Sequence, residues 1–600
     1  MKHSNGLRRF LAASLIIAAC IFFASGEQVD KTKTPPDLAG LWCAKLRFGP
    51  DLRGTLTIER QGDSWRAEIA GRAAAVKVEN RQVSFELPDG QGAFRGRVES
   101  SGKASARGAR IAGHWIQPRA VTSGLRYATP VILETLDADR WRGDVEPLVD
   151  GFTLFLSVQK NADGALGAWL GNPERNLGRS IAVERVDFDG RMVKLMGKPS
   201  PGAAAAVLAE GPYDAENDIF SIPIPWRGGT FDFHRATPAD ETVFYPRGKT
   251  SAAWDYRRPS LEDDGWPVGS LEEAGISREG IGRFVQMLIG TAMDSVHSPQ
   301  IHGFLMARHG KLVVEEYFHG FHRDLLHDTR SAAKSLTSFL IGAAIQSGAP
   351  LSAGTSVYGT MDGPAALAGL EPRKRALTLA DLLTMSSGLD IDDSDPASPG
   401  NEDKMQEQTA QPDWYRFTLD LNMVRNPGEK AVYGSANPDL AGGVLAKVTG
   451  RWLPDLFQEL VAGPMQIKHY AFDLQPLGEA YMGGGVHIPP REFMKLGQVM
   501  VDGGKWHGRQ VVSPEWVKTS TSPLTELRGF GYGYLWWITE LPYRGRTVRA
   551  FNAGGNGGQV VMGIPELDLV IAFYGGNYAD RVTYTPQRVY VPEWILPCVN

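Results

Sequence analysis

Residues 329–335 of this chain read Thr329-Arg330-Ser331-Ala332-Ala333-Lys334-Ser335. Ser331 opens a run to residue 344 that contains no proline and predicts a buried helix. Because residues i and i+3 share a helix face, the Lys334 amine is expected beside the Ser331 hydroxyl. The same Ser-x-x-Lys pattern recurs at Ser100/Lys103 and at Ser157/Lys160. Both of these pairs lie in strand-like sequence, where residues i and i+3 point to opposite faces and cannot act together.

This pair predicts acyl-transfer chemistry. A serine hydroxyl becomes a strong nucleophile when a neighbouring base takes its proton. Lysine serves as that base if burial and nearby cations keep its amine neutral. A helix N-terminus adds free N–H groups where an oxyanion develops. The alternative interpretation is an N-capping Ser331 followed one turn later by an exposed Lys334.

Two later segments offer the other groups that such chemistry needs. Tyr433 lies on a predicted loop that follows the turn at 426–429, and a tyrosine near a lysine can exchange protons with it. Residues 551–559 include four glycines, which let a backbone approach a ligand and present its N–H groups. The alternative interpretation of Tyr433 is a surface-loop tyrosine whose ring is packed. The alternative interpretation of residues 551–559 is a glycine-rich hairpin without a role in binding.

Together these segments resemble the serine β-lactamase-related hydrolases. This family contains class C β-lactamases, D-alanyl-D-alanine carboxypeptidases, esterases and amide hydrolases of the 6-aminohexanoate-dimer type. The resemblance covers about residues 262 to 590, and residues 329–335 are similar to the nucleophile motif. Further similar segments are the helix-and-loop signature at 381–389, Tyr433-Gly434-Ser435 in the place of Tyr-x-Asn, the glycine-rich segments at 483–485 and 503–506, and Asn552-Ala553-Gly554 in the place of Lys-Thr-Gly or His-Thr-Gly.

The resemblance implies a role for each residue. Ser331 would be the acylated nucleophile, Lys334 the base that activates it, and Tyr433 the group that shares protons with Lys334 and primes the deacylating water. The Ser331 N–H would form half of the oxyanion hole, and the N–H of Gly555 or Asn556 the other half. Substrate-binding or oxyanion roles are predicted for Ser435, Asn437, Asn552, Gly554, Gly555 and Asn556.

Two departures from the family pattern bear on the substrate. Ser435 replaces the asparagine that orients substrate in the β-lactamases, although Asn437 lies nearby. Asn552 replaces the cationic or imidazole side chain that attracts a substrate carboxylate, which argues against tight recognition of penicillins. We therefore expect a small-molecule ester, amide or peptide substrate. We expect four aromatic residues either to line an acyl pocket or to pack in the core: Trp414, Tyr415, Trp536 and Trp537.

Composition limits the partners and the place of action. The chain has 600 residues and a formal net charge of -5 without basic blocks, so nucleic-acid binding is not expected. Residues 1–26 combine basic residues, an apolar run and small residues, which is typical of a cleaved signal peptide and predicts a periplasmic or secreted protein. A lipoprotein anchored at Cys20 is the alternative. No other stretch is apolar over about 20 residues, so a transmembrane span is not predicted.

Neither a cofactor nor a metal is expected. Export would permit a disulfide between Cys43 and Cys598, and two free thiols are the alternative. Neither cysteine lies in a Cys-x-x-Cys pattern, and no His-Glu-x-x-His motif occurs. The closest histidine pair, His319 and His322, is interpreted as structural.

The front part of the chain has a different pattern. Alternating apolar and polar residues with recurring Asp-Gly turns predict an all-β, antiparallel, barrel-like domain over residues 35–245. Residues 113–118 and 167–173 resemble each other, and this weak internal duplication predicts two related β units, either one closed barrel or two packed halves. We interpret the domain as a scaffold, with substrate binding as the alternative.

A linker at 246–265 is expected to lead into a catalytic domain at 266–600. By the resemblance, this domain has the α/β (α+β) fold of the β-lactamase/transpeptidase type, with helices on an antiparallel sheet and a helical insert between Ser331 and Tyr433.

The predicted function is an exported serine hydrolase, an esterase or amidase that works through a Ser331 acyl-enzyme. A true β-lactamase is one alternative. A penicillin-binding or peptidoglycan-sensing protein that is acylated without turnover is another. A lipid or small-molecule carrier built on the β domain is a further alternative.

Overall fold

The structure is a computed structural model that describes residues 36–47, 52–99, 109–119, 124–149, 151–174, 181–200, 202–225, 229–250, 253–407 and 412–600. The predicted signal peptide, and Cys20 within it, lie outside these described residues. Within the described ranges, none of the helices combines the length and the apolar character needed to cross a lipid bilayer.

The front part of the chain forms two closed antiparallel barrels. The first barrel has the order β1-β10-β11-β12-β13-β14-β15-β16, and the inserted barrel runs from β2 to β9 and closes through β2–β9 and β8–β9 pairing. The strands are β1 Gly40–Arg47, β2 Gly54–Gln61, β3 Ser64–Ile69, β4 Arg72–Glu79, β5 Gln82–Glu86, β6 Ala93–Glu99, β7 Arg110–Gln117, β8 Arg126–Asp137, β9 Arg140–Val145, β10 Gly151–Lys160, β11 Leu166–Gly171, β12 Val183–Phe188, β13 Met192–Gly197, β14 Ala206–Asp214, β15 Ile219–Ile224 and β16 Gly229–Arg235.

Apolar and polar residues alternate along these strands, and the apolar side chains fill two separate hydrophobic cores. Trp42, Leu154 and Phe231 belong to the core of the first barrel, while Phe94 and Trp115 belong to that of the inserted barrel. Burying every second side chain inside a closed barrel is what a period-2 apolar pattern requires. The predicted all-β, barrel-like front part is thereby confirmed. The two similar segments found in the sequence fall on β7 and β11, one in each barrel.

The inserted barrel interrupts the first one. The chain forms β1, leaves to build β2 to β9, and returns as β10, which pairs with β1 along its whole length from Gly40↔Val158 to Arg47↔Gly151. On its other side β1 pairs with β16 at two positions, Trp42↔Arg235 and Cys43↔His234. The first barrel therefore closes through a short seam.

The C-terminal part of the chain, which we call the catalytic part after its predicted role, contains an eight-stranded antiparallel sheet with helices on both faces. The strand order is β18-β17-β29-β28-β27-β26-β25-β24. Its strands are β17 Ile301–Arg308, β18 Lys311–Tyr317, β24 Thr525–Leu527, β25 Phe530–Tyr532, β26 Trp537–Tyr543, β27 Arg546–Gly555, β28 Gln559–Ile564 and β29 Leu569–Gly575. A separate two-stranded sheet consists of β22 Lys505–Trp506 and β23 Arg509–Gln510, while the sheet of the inserted barrel is extended by β19 His327–Asp328, β20 Ala471–Leu474 and β21 Val486–Ile488.

The helices pack on the two faces of this sheet. Helix α2 and the C-terminal helix Pro586–Ile595 share one core, and α3, α9 and α11 share the other. The described helices are α1 Pro238–Phe244, α2 Arg278–Ile289, α3 Ala333–Gln346, α4 Val357–Met361, α5 Pro372–Ala376, α6 Leu379–Leu383, α7 Glu402–Gln406, α8 Trp414–Asp420, α9 Ala436–Thr449, α10 Leu453–Phe457, α11 Pro490–Val501 and α12 Pro514–Ser520. The predicted α/β class with a helical insert is confirmed.

Helix α3 shows how the local sequence fixes the position of the nucleophile. The helix is almost wholly buried, as predicted, but it begins at Ala333, because a 3-10 turn over Arg330–Ala332 precedes it. Arg330 has a positive φ of 48°, which α-helical backbone does not tolerate. Ser331 therefore lies in the turn at the entrance of the helix.

The inserted barrel is joined to the catalytic part through hydrogen-bonded strands. Strand β8 pairs with β20 at Tyr127↔Asp473, and β20 and β19 both pair with β21. Strand β19 ends just before the turn that carries Ser331. The predicted domain limits at residues 245 and 265 stay a prediction.

Candidate active site

Ser331 and Lys334 meet as their spacing predicts. Lys334 Nζ donates to Ser331 Oγ at 2.9 Å and to the Gly483 carbonyl oxygen at 2.5 Å. Lys334 is 2% exposed, whereas Ser331 is half-buried and lines an open cleft. The base is thus enclosed while the nucleophile is accessible.

The charge around Lys334 differs from the expectation of a neutral amine. Burial lowers the pKa of Lys334, but the Tyr433 oxygen and the carboxylates of Glu402 and Asp393 raise it, and the net direction is upward. The condition for a neutral amine is therefore not met in the resting site, where the Glu402 and Asp393 carboxylates favour the charged form of Lys334. Lys334 is therefore held as an ammonium ion before substrate binds.

Tyr433 lies where the sequence analysis places it, beside the lysine. Lys334 Nζ is 5.1 Å from the centre of the Tyr433 ring, and the Tyr433 side chain raises the pKa of Lys334. The ring stacks on Trp537 at 5.9 Å, and the Arg528 guanidinium lies 4.5 Å from the ring centre. The Tyr433 backbone is held by the Asp393 N–H, which donates to its carbonyl oxygen at 3.0 Å.

Two acidic residues of the site escaped the sequence analysis. Asp393 accepts hydrogen bonds from the Ser435 N–H at 2.8 Å and from Ser435 Oγ at 2.7 Å, and Glu402 accepts one from the Tyr481 hydroxyl. Burial and the negative charge of Glu402 raise the pKa of Asp393, although Lys334 and Ser435 oppose this. The acid-rich segment 390–403 was the available signal, but nothing in it indicates contact with Lys334.

Ser435 and Asn437 do not line the cleft. Both are fully buried, and Ser435 donates its hydroxyl proton to Asp393. The Asn437 amide nitrogen lies 3.8 Å from Met385 Sδ. In this arrangement Ser435 can act on the site only through Asp393, and neither side chain is placed to contact a substrate in the cleft.

The glycine-rich strand β27 forms one wall of the cleft. Asn552, Gly554, Gly555 and Asn556 all line the cleft with Ser331. Gly555 ends the strand, and its backbone packs against the turn that carries Ser331. Asn556 Oδ1 accepts a hydrogen bond from the Ala579 N–H at 2.7 Å, which turns this side chain toward the protein. The second oxyanion N–H at Gly555 or Asn556 stays a prediction.

The cleft is large enough for a sizeable organic substrate. It has a volume of about 710 Å³ and is lined by apolar and aromatic side chains together with Arg528 and Arg588. Of the four aromatic residues singled out in the sequence, Trp537 lines the cleft, and Trp414 and Trp536 are buried in the core. Tyr415 also packs against that core.

Comparison with known proteins agrees with this architecture. Residues 294–575 match the family model described as Beta-lactamase. The 6-aminohexanoate-dimer hydrolase of Paenarthrobacter ureafaciens is 28% identical over 269 residues, with 39% of this chain and 64% of that protein covered. This chain thus spans less than two thirds of that relative's length.

Solved structures are similar to part of this chain as well. A family VIII carboxylesterase has a TM-score of 0.42 at 16% identity, with 56% of this chain and 100% of that chain covered. EstCE1, a hydrolase with promiscuous acyltransferase activity, has a TM-score of 0.39 at 16% identity, with 47% of this chain and 91% of that chain covered.

The catalytic part has the fold of the β-lactamase/transpeptidase class, with a serine and a lysine at the junction of helix and sheet. The segment that matches the Beta-lactamase family model, residues 294–575, contains both Ser331 and Lys334.

Proposed function

We propose that this protein is an exported serine hydrolase that cleaves an ester or amide bond through a Ser331 acyl-enzyme. The observation that carries the proposal is the 2.9 Å contact of Lys334 Nζ with Ser331 Oγ at the edge of an open cleft. A structural N-cap with an exposed lysine would place the amine in solvent, whereas Lys334 is buried.

In the acylation step, Ser331 Oγ attacks the substrate carbonyl carbon as its proton passes to the Lys334–Tyr433 pair. Because Lys334 rests as an ammonium ion, it first releases one proton to solvent, and the neutral amine of the pair then accepts the Ser331 proton. The bond to the leaving group then breaks, and the leaving alcohol or amine takes a proton from the same pair. The Ser331 N–H lies at the helix entrance, where it can stabilise the oxyanion.

In the deacylation step, the Lys334–Tyr433 pair takes a proton from water, and the resulting nucleophile attacks the acyl-enzyme. The carboxylic acid is released, and Ser331 regains its proton. The substrates we favour are esters and linear amides, and a protein that the chain resembles is described as a 6-aminohexanoate-dimer hydrolase. Asn552, which is neutral, stands where the family places a cation, and this weakens the case for β-lactams.

The first test is intact-mass spectrometry after reaction with a fluorophosphonate probe. We expect one adduct on the wild-type protein and none on Ser331→Ala. The matched control is Ser157→Ala, which removes the serine of the strand-borne Ser-x-x-Lys pattern on β10 and should leave labelling unchanged. A folded wild-type protein that is never labelled would refute the assignment.

A second measurement separates a hydrolase from a non-turnover sensor. Incubation with a panel of chromogenic esters, anilides and β-lactams should give continuous product release. One stoichiometric burst that then stops would instead support the penicillin-binding or peptidoglycan-sensing alternative.

A further inference from the structure

Three side chains of metal-ligating type meet outside the first barrel, away from the catalytic cleft. Cys43 lies on β1, His234 on β16 and Asp240 in the first turn of α1. One ligand atom of each lies within 4.8 Å of the others. Cys43 is 0% exposed and Asp240 is 3% exposed. We call these three residues the Cys43 cluster.

The barrel backbone fixes two members of the cluster. Trp42 and Ala44 point into the core of the first barrel, so Cys43 between them points to the outer face, where it packs with Phe244. Cys43 and His234 are direct partners across the short seam between β1 and β16. Directly opposed residues of an antiparallel pair have Cβ atoms about 4.5–5.5 Å apart, which is suitable for a shared ligand.

The hydrogen bonds of the other two members suit a cation. His234 Nδ1 lies 2.8 Å from the Arg235 carbonyl oxygen. A proton on Nδ1 for this bond leaves the lone pair on Nε2, the arrangement usual for a metal-bound histidine. Asp240 Oδ2 accepts from the Thr237 N–H at 2.9 Å and from Thr237 Oγ1 at 2.7 Å, while Oδ1 faces the Lys45 ammonium at 2.6 Å.

Lys45 occupies the place of a cation in the cluster. Its side chain is 50% exposed, whereas that of Asp240 is 4% exposed. Because Lys45 is long and half in solvent, it can swing out without leaving a buried cavity. A metal ion could then take over the Asp240 carboxylate oxygen.

We propose that Cys43, His234 and Asp240 bind a zinc ion, with water in the fourth position. A thiolate, an imidazole and a carboxylate are the three donor types of zinc sites, and the sulfur donor disfavours magnesium and calcium. On binding, the sulfur–zinc bond forms as the Cys43 thiol releases its proton to solvent, and Asp240 exchanges Lys45 for the metal.

The ion would cross-link β1, β16 and α1. The bound ion would hold β1 and β16 together at the seam of the first barrel, where the two strands pair at two positions. Helix α1 in turn contacts the catalytic part, since His319 Nδ1 lies 3.1 Å from the Phe244 carbonyl oxygen. The proposed site therefore stabilises the joint between the first barrel and the catalytic part.

The test is zinc stoichiometry of the full-length protein, equilibrated with micromolar zinc, desalted and analysed by mass spectrometry of the elements. We expect one zinc ion per chain in the wild type. Zinc affinity should fall at least about tenfold in Cys43→Ser. The matched control is Cys598→Ser, since Cys598 is the other described cysteine and is likewise buried and free. A wild type without bound zinc, or equal zinc in Cys43→Ser, would overturn the proposal.

Two further measurements cover the case in which Cys43→Ser does not fold. Cobalt(II) bound to the wild type should give a sulfur-to-cobalt charge-transfer band, and absence of that band would count against a Cys43 ligand. Lys45→Met should bind zinc about fivefold more tightly, because the competing ammonium is gone. Unchanged or weaker zinc binding in this variant would contradict the proposed exchange at Asp240.

Discussion

Gly555 ends β27 directly against Thr329: a Cβ atom at Gly555 would lie 2.3 Å from the Thr329 carbonyl oxygen and 3.0 Å from the Ala332 amide nitrogen. Both atoms flank Ser331. The backbone of β27 therefore contacts the backbone of the turn that carries Ser331. The two are so close that a residue with a Cβ atom would not fit at position 555, which is why a glycine is needed there.

Gly555→Ala should lower kcat by about 100-fold or more, because the added methyl group pushes β27 away from the turn and displaces the predicted oxyanion N–H. The measurement is steady-state hydrolysis of an ester that the wild type cleaves. Gly554→Ala is the matched control, since its Cβ would meet Asn552 Oδ1 at 3.3 Å as its nearest neighbour. Equal losses in the two variants would argue against a special role for Gly555.

Lys334→Met should reduce kcat/KM by about 10²–10⁴-fold, because it removes the proton acceptor while it keeps much of the side-chain volume. Lys495→Met is the control: Lys495 is also buried, but its ammonium group bonds to the Glu492 carboxylate and not to Ser331. We expect Lys495→Met to lose stability and to keep its kcat. Near-normal turnover in a folded Lys334→Met protein would disprove the assigned base.

The pH dependence of kcat/KM should report the ammonium state of Lys334. Its pKa is raised in the folded protein in part by Glu402, so activity should climb as the pH rises toward that pKa. In Glu402→Gln one negative charge is lost, the pKa of Lys334 falls, and the rising limb should move to lower pH. Glu407→Gln, an exposed change at the end of the same helix, should leave the profile in place. A limb that moves to higher pH in Glu402→Gln would contradict the electrostatic assignment.

His319 should make the protein sensitive to mild acid. Burial lowers its pKa to about 4, against an ordinary value near 6.5. Between these two values the unfolded chain binds a proton that the folded chain does not, so stability is full above pH 6.5 and is lost as the pH falls toward 4. The free energy of unfolding should drop by up to about 3 kcal/mol over this window.

Urea unfolding at several pH values tests the effect of His319. The slope of stability against pH should become shallower in His319→Asn. His322→Asn, on the same loop but with a 62% exposed side chain, should keep the slope of the wild type. Identical slopes in all three proteins would show that His319 does not carry the acid sensitivity.

Much of the site could be predicted because its central contact is local. Ser331 and Lys334 are one helical turn apart, so their meeting follows from helix periodicity alone. Tyr433 and the glycine-rich strand could also be predicted as parts of the site, because their order along the chain matches that of the family motifs. Both line the cleft. Ser435 could not be placed correctly from its neighbours in sequence, because packing around Asp393 buries it.

The sequence by itself determined that the front part is β-rich and that a buried helix follows Ser331, since alternation and 3.6-residue periodicity are local properties of the chain. Only the tertiary structure decided that β2 to β9 are inserted between β1 and β10, that Glu402 and Asp393 keep Lys334 charged, and that Cys43 faces His234. Each of these depends on contacts between residues far apart in the chain. Such contacts are selected by the burial of whole faces and leave no short-range pattern to read.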